Sequence, residues 1–237
     1  MRAMVTRALR QLGLPTALSG QLRIEYDSTI PVAKGMASST ADIAATAQAT
    51  ARHFGHEFDE PTLAALCVAL EPTDSTLFST LTLFDHQHAG VHIPCGGLPC
   101  VDVLVLESPA TLRTADFHQR DRRRHLLAQA DTLDTAWRQL KQACETGSAA
   151  RLGEATTLSA LASQLILPKP GLNALLNIVE GMGLYGVNVA HSGSVVGLLL
   201  DRHQHDVEKV SKAVSASDTE GVWPRHHLLK VTSGGVV

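Results

Sequence analysis

Aromatic side chains are scarce. They make up 4% of the chain, too few for the stacking platforms that single-stranded nucleic acid requires. An excess of positive charge is also missing. The formal net charge is −3, so no broad electrostatic attraction to nucleic acid or to an anionic membrane surface is expected. No apolar run approaches the roughly 18–20 residues needed to cross a bilayer. The four cysteines, Cys67, Cys95, Cys100 and Cys144, include no C-x-x-C pair and are too sparse for a disulfide scaffold. The opening MRAMVTRALRQLG lacks the continuous apolar core of a signal peptide. A cytoplasmic location, with no membrane and no nucleic acid as partner, is therefore expected. Histidine is not scarce, and His86, His88 and His92 lie close together. Without an H-E-x-x-H pattern or a cysteine partner they read as a solvated loop.

What the chain does have is 237 residues at 44% hydrophobic composition, enough for one large domain or two small ones with substantial cores. A helix is expected over 2–13, ended by Gly13 and Pro15. QLRIEYDS, residues 21–28, alternates apolar and polar residues as a half-buried strand does. A long Ala-rich helix covers 40–54 and closes at Gly55, and Pro61 opens the next one through TLAALCVALE. Short strands are expected near 81–84 and 91–94. CGGLPC is the clearest punctuation in the chain, and a buried-strand run, VDVLVLES, follows it. The domain boundary is placed there, giving 1–98 and 99–237. Helices are expected near 119–145, 148–166 and 170–182. The run RDRRRH in the first of these reads as a solvated face or a phosphate contact. LYGVNVAHSGSVVGLLLD reads as strand, turn, strand. A short helix at 204–216 and a last strand in HHLLKVTS complete the pattern. Without a strict βαβ rhythm, the fold class is α+β.

The stretch PVAKGMASSTADIAA, residues 31–45, runs a small-residue loop into the mouth of a helix. The first N–H groups of a helix lack intrahelical partners, and the dipole makes that end positive, so an anion satisfies both. Gly35 permits unusual backbone angles, and Ala37 leaves room for a phosphate. Ser38, Ser39 and Thr40 add hydroxyls. Ser39-x-x-Asp42 equally fits a capping box, a purely structural device. Neither the Walker pattern nor G-x-G-x-x-G is present. EPTDST places Glu71 and Asp74 after a helix, where they suit a magnesium ligand and a general base, or a plain turn. Ser192, Gly193 and Ser194 form a second small-residue turn between apolar strands, by itself an ordinary hairpin.

Together the three stretches resemble motifs of the GHMP small-molecule kinases, whose phosphate loop commonly reads Pro-x-x-x-Gly-Leu-Gly-Ser-Ser-Ala. VLESPATLRTADFH and SALASQLILPKP resemble, more narrowly, a branch of that family acting on the hydroxyl of L-threonine. That branch makes O-phospho-L-threonine for the aminopropanol linker of adenosylcobalamin. The resemblance implies an N-terminal domain like domain 2 of ribosomal protein S5 and a ferredoxin-like C-terminal domain. It implies ATP and Mg2+, with ATP and L-threonine as the small-molecule partners. It sets Pro31, Val32, Ala33, Lys34, Gly35, Met36, Ala37, Ser38, Ser39, Thr40 and Ala41 around the nucleotide, with Ser192, Gly193 and Ser194. Ser39 and Glu71 would hold the metal, and Asp74 would be the catalytic base. Two departures stand out. Ala37 replaces the loop's second glycine and Met36 its leucine, so Ala37 is expected to keep a negative φ. The loop also begins at Pro31, where the family has several dozen earlier residues, so the domain's first strands are expected to be missing. The exposed edge of 21–28 would then lead either to self-association as a homodimer or to a mobile loop from Val32 to Ser39. Rival readings are a homoserine or other small-alcohol kinase, a non-catalytic nucleotide-binding remnant, and an RNA-binding module. The acidic balance and scarce aromatics argue against the last.

Overall fold

A computed structural model of the chain describes residues 1–112, 117, 122–218 and 220–236. The chain divides into two compact units. One comprises Met1–Val32, Ala37–Cys95 and Ser233–Val237, and the other Ala33–Met36 and Gly96–Thr232.

In the first unit, α1 (Arg2–Gln11), α2 (Ser38–His53) and α3 (Glu60–Val68) share one core. Met4 and Ala8, then Ile43, Ala47 and Ala51, then Leu63 and Cys67 recur at four-residue spacing and are all buried. That spacing stacks them on one face of each helix. Alanines on α2 let the helices pack closely. Asp59 caps α3, its carboxylate accepting from the Thr62 N–H at 2.9 Å. A short hairpin follows, β1 (Thr82–Phe84) antiparallel to β2 (His92–Pro94), with Leu83 opposite Ile93. The C-terminal tail belongs to this unit. The Gly235 N–H donates to the Thr76 carbonyl at 3.2 Å, and Val236 packs on the helical core.

Residues 21–28 correct the sequence-based expectation, for they form no strand. The alternation itself is real: Leu22 and Ile24 are half-buried while Gln21, Arg23 and Glu25 are exposed. A strand, however, needs a neighbour's N–H and C=O groups, and no described strand pairs with this segment. The edge on which self-association was expected is therefore not formed. The segment instead lines a groove of about 1010 Å³ with Ala41, Ala45 and Thr46 of α2. Tyr26 is tied to α2 by a hydrogen bond between its hydroxyl and that of Thr46.

The second unit contains β3 (Asp102–Glu107), α4 (Arg123–Ala128), α5 (Ala130–Thr146), α6 (Ala149–Ser163), α7 (Leu172–Gly181), β4 (Gly186–Val189), β5 (Val196–Leu200), α8 (Val207–Ser217) and β6 (Arg225–Lys230). The strands form one antiparallel sheet in the order β4-β5-β3-β6. Read along the chain, β3, helices, β4, β5, α8 and β6 make the βαββαβ arrangement of ferredoxin-like folds. The central strand β5 is buried along its whole length, whereas β6 at the edge alternates between exposed and half-buried residues. Leu104, Leu106, Val187, Val196, Leu198 and Leu200 meet Leu172, Leu175, Val210 and Val214 of the helices in one core.

The helix expected over 119–145 is two helices, α4 and α5, separated at Gln129, whose φ of −108° and ψ of 13° leave the helical region. The start of that expected helix, with Arg120 and Asp121 of the basic run, lies outside the described residues. So do residues 113–116 and 118 of VLESPATLRTADFH.

Candidate active site

In the second unit, residues Ala33–Met36 pack against the turn containing Ser192, Gly193 and Ser194. Gly35 has a φ of 81°, and a Cβ there would lie 2.6 Å from the Gly193 Cα. A Cβ on Gly193 would lie 2.2 Å from the Lys34 carbonyl oxygen. Two main chains are in direct contact at this point, and only glycine leaves the space. The N–H groups of Ser194 and Val195 both donate to the Lys34 carbonyl, at 2.9 and 3.3 Å. The Ser194 hydroxyl donates to the Ala110 carbonyl at 2.7 Å, and the Leu112 N–H to the Ala33 carbonyl at 3.0 Å.

The Lys34 side chain is buried and turned into this unit. Its ammonium donates to the carbonyls of Ser108, Pro109 and Ala110 at 2.6, 3.1 and 3.0 Å. It also lies 3.7 Å from the buried Glu107 carboxylate, which Arg225 and His227 meet from β6 at 2.6 and 3.1 Å. Lys34 therefore offers a ligand its backbone rather than its charge. A second buried lysine escaped the sequence reading. Lys169 donates to the Ala190 carbonyl at 2.7 Å and to the Gly193 carbonyl. Its only signal in the sequence was a cation between two prolines, Pro168 and Pro170.

In the first unit, Ala37 caps α2 at a φ of 57°. This corrects the expectation of a negative φ, and Ala33 is also left-handed at 59°. For a residue with a Cβ this conformation costs roughly 1–2 kcal/mol. The turn into the helix imposes it at Ala37. With Ala37 as N-cap, Ser38 is already helical, so the capping box on Ser39 and Asp42 does not form. The Ser39 hydroxyl instead donates to the Glu71 carboxylate. One residue on, the buried Thr40 hydroxyl accepts from the Asp74 N–H at 3.0 Å. Two consecutive helix residues thus hold two carboxylate-bearing residues three apart. The Thr73 N–H adds a tie to the His86 carbonyl at 3.0 Å. Pro31 and Val32 also belong to this unit, with Val32 strongly exposed.

Within the first unit, a helix N-terminus bearing hydroxyls is suited to an anion such as a nucleotide phosphate, and the carboxylates beside it are suited to an accompanying cation. The chain matches the family GHMP kinases N terminal domain over residues 2–80 and the family GHMP kinases C terminal over residues 140–218. The chain belongs to the GHMP kinases. Two curated relatives span nearly all of it. The L-threonine kinase of Salmonella typhimurium is 56% identical over 235 residues, covering 99% of this chain and 78% of the relative. That of Citrobacter freundii is 57% identical over 235 residues, covering 99% and 82%. Among solved structures, a homoserine kinase from Cytophaga hutchinsonii superimposes with a TM-score of 0.67 at 13% identity, covering 98% of this chain and 75% of its own. A Lactococcus lactis galactokinase complexed with galactose gives 0.63 at 15% identity, covering 97% and 74%. At such identities these two show the fold.

Membership of a kinase family implies ATP as phosphoryl donor. Burial raises the pKa of Glu71, with the chain's N-terminal amine opposing. Asp74 keeps some surface in solvent, yet protein crowding its carboxyl raises its pKa, opposed by His86 and by the Thr40 hydroxyl. Both therefore favour a nearby positive charge or an incoming proton. The Ser39 and Glu71 oxygens are hard donors in contact with each other, and Mg2+ characteristically takes one or two protein oxygens beside phosphate oxygens. The donor set fits that ion. Among the described residues no helix is long and apolar enough to cross a membrane.

Proposed function

We propose that this GHMP kinase transfers the γ-phosphoryl group of ATP to the side-chain hydroxyl of L-threonine. The observation that carries the reading is 56–57% identity over 99% of the chain to two L-threonine kinases. The threonine oxygen forms a bond to the γ-phosphorus. The bond from that phosphorus to the bridging oxygen breaks, ADP leaves with the electron pair, and the hydroxyl proton passes to Asp74. The products are O-phospho-L-threonine and ADP. By the same family resemblance, the product supplies the aminopropanol linker of adenosylcobalamin.

Residues 31–41 and 192–194 surround the nucleotide in this reading. The N-terminus of α2 faces negative charge, and the backbone N–H groups there orient the phosphates. Ser39 and Glu71 would hold Mg2+, which when bound would supply charge neutralisation at the phosphoryl group. In this reading residues 1–98 supply most of the ATP-binding domain and 99–237 most of its C-terminal partner, although Ala33–Met36 pack in the second compact unit and Ser233–Val237 in the first. The enzyme works in the cytoplasm on small molecules, with neither nucleic acid nor membrane as partner.

The test is ADP release and phosphorus NMR of the product, with ATP, Mg2+ and a panel of threonine, homoserine, serine and simple alcohols. Threonine-dependent formation of O-phosphothreonine is expected. Turnover of homoserine without threonine turnover, or ATP binding with no turnover of any acceptor, would overturn the reading.

A further inference from the structure

Lys169 lies between α6 and α7 and is 6% exposed. Its ammonium donates to two main-chain carbonyls of one turn, those of Ala190 and Gly193. Lys34, the other buried lysine of the same unit, stands beside a carboxylate. Lys169 is held by carbonyl dipoles instead, and burial lowers its pKa to about 8. His191 alongside it is a titratable neighbour; it keeps surface in solvent, yet desolvation by the protein around its ring and then the Lys169 charge lower its pKa, opposed by Ser159. Keeping a poorly compensated cation in the interior is costly, so the turn it holds is a place to look for function.

The turn gains a definite shape from that cation. The Ala190 and Gly193 carbonyls are both directed at one ammonium. Between them, the N–H groups of His191 and Ser192 bond to no other described residue. Successive free N–H groups in a turn make an anion-binding concavity. On its other side, the same turn carries Gly193, whose Cα is in contact with Gly35. Displacement of the turn would therefore move the 33–36 loop as well.

We propose that Lys169 is a positioning residue for the nucleotide. It pins the Ala190 and Gly193 carbonyls inward, and so keeps the His191 and Ser192 N–H groups and the Gly35 loop in place for the phosphates. It makes no contact with the reacting atoms. The inference rests on the reading of 192–194 as part of the ATP site, and it holds whichever alcohol accepts the phosphoryl group.

The test uses the full chain. Lys169→Met removes both hydrogen bonds, and Lys169→Arg retains a buried cation with several N–H donors. ATP affinity is measured by calorimetry, without acceptor, and KM values for ATP and threonine by initial rates. Lys169→Met is expected to weaken ATP binding and raise the ATP KM about tenfold, with the threonine KM within about twofold, because a charge-assisted hydrogen bond is lost on the nucleotide side alone. Lys169→Arg should recover most of the ATP affinity. If Lys169→Met does not fold, Lys169→Gln, which keeps one NH₂ donor, gives an intermediate ATP affinity. Unchanged ATP affinity in a folded Met or Gln variant would overturn the proposal, as would equal rises in both KM values. Calorimetry separates this from the reaction itself: wild-type protein that binds ATP but ignores threonine would sink the substrate reading and leave the role of Lys169 measurable.

Discussion

In the first unit, Glu71 and Asp74 sit beside hydroxyls at the head of α2, and both have raised pKa values. In the second, Lys34 and Lys169 are buried and donate hydrogen bonds to carbonyls of their own chain. The carboxylates accept few hydrogen bonds and retain lone pairs for a ligand. The lysines have donors already engaged by the fold. In a phosphate-handling protein one expects lysines to face the ligand as point charges. Here both buried lysines bond main-chain carbonyls, and the proposed site leaves main-chain N–H groups and hydroxyls for the anion. The lesson is that a lysine within a phosphate motif is not by that fact a phosphate ligand.

The comparison can be broken first at Asp74. Asp74→Asn is expected to reduce kcat about 10²-fold or more, with a small change in the ATP KM, since a proton acceptor acts in the transition state. The wild-type rate should rise with pH through a carboxyl pKa above the ordinary 3.8, and the variant should lack that limb. Stability moves in the opposite sense. A carboxyl whose folded pKa is raised contributes stability below its unfolded value and loses it as pH rises through the folded value. Asp74→Asn should therefore melt higher than wild type at neutral pH, with the gain vanishing in acid. Melting curves across pH, together with pH–rate profiles, check both halves. An unchanged kcat would leave Asp74 as a turn residue.

Lys34→Met tests the other half of the comparison. It strips a cation from three carbonyls and from the buried Glu107. Removing one partner of a buried charge cluster costs about 3–5 kcal/mol, and for a chain of this size about 2–4 °C of melting temperature goes with each kcal/mol. The expected result is a clear loss of stability. A variant that melts like wild type while binding ATP much more weakly would show that Lys34 faces the ligand after all.

Glu71→Ala should have the smallest effect. Activity is expected to fall about tenfold at ordinary Mg2+ and to recover in part as Mg2+ is raised, because a ligand oxygen is lost and water can replace it. Initial rates over a magnesium series measure this. Full activity with an unaltered magnesium dependence would remove Glu71 from the metal site.

Most of the helices and strands were legible from period and punctuation. Met4 and Ala8, or Ile43, Ala47 and Ala51, sit on one face because the helical repeat puts them there. Asp59 and Pro61 mark the start of α3 through local capping chemistry. Residues 21–28 misled for a definable reason. Alternation reports that one side of an extended segment faces protein, and Leu22 and Ile24 do so. It does not report a hydrogen-bonded neighbour. The break at Gln129 was missed because the residues around it suit a helix on both sides. Of the candidate site, the family resemblance had put Ser39 and Glu71 on one metal ion, and the two side chains are in hydrogen-bond contact; Lys169 gave no such sign.

By itself the sequence determined most of the elements, the order in which they follow one another, and the small-residue loop and turn, because these depend on groups a few residues apart. Tertiary structure alone decided that Ala37 takes a left-handed conformation and that Gly35 lies on Gly193. It also decided where the two buried ammonium groups point. The partners of Lys34 lie 74 to 76 residues along the chain, and those of Lys169 lie 21 and 24 away. Those partners are backbone carbonyls, which every residue possesses and no side chain announces. Only folding brings them within reach of a particular lysine.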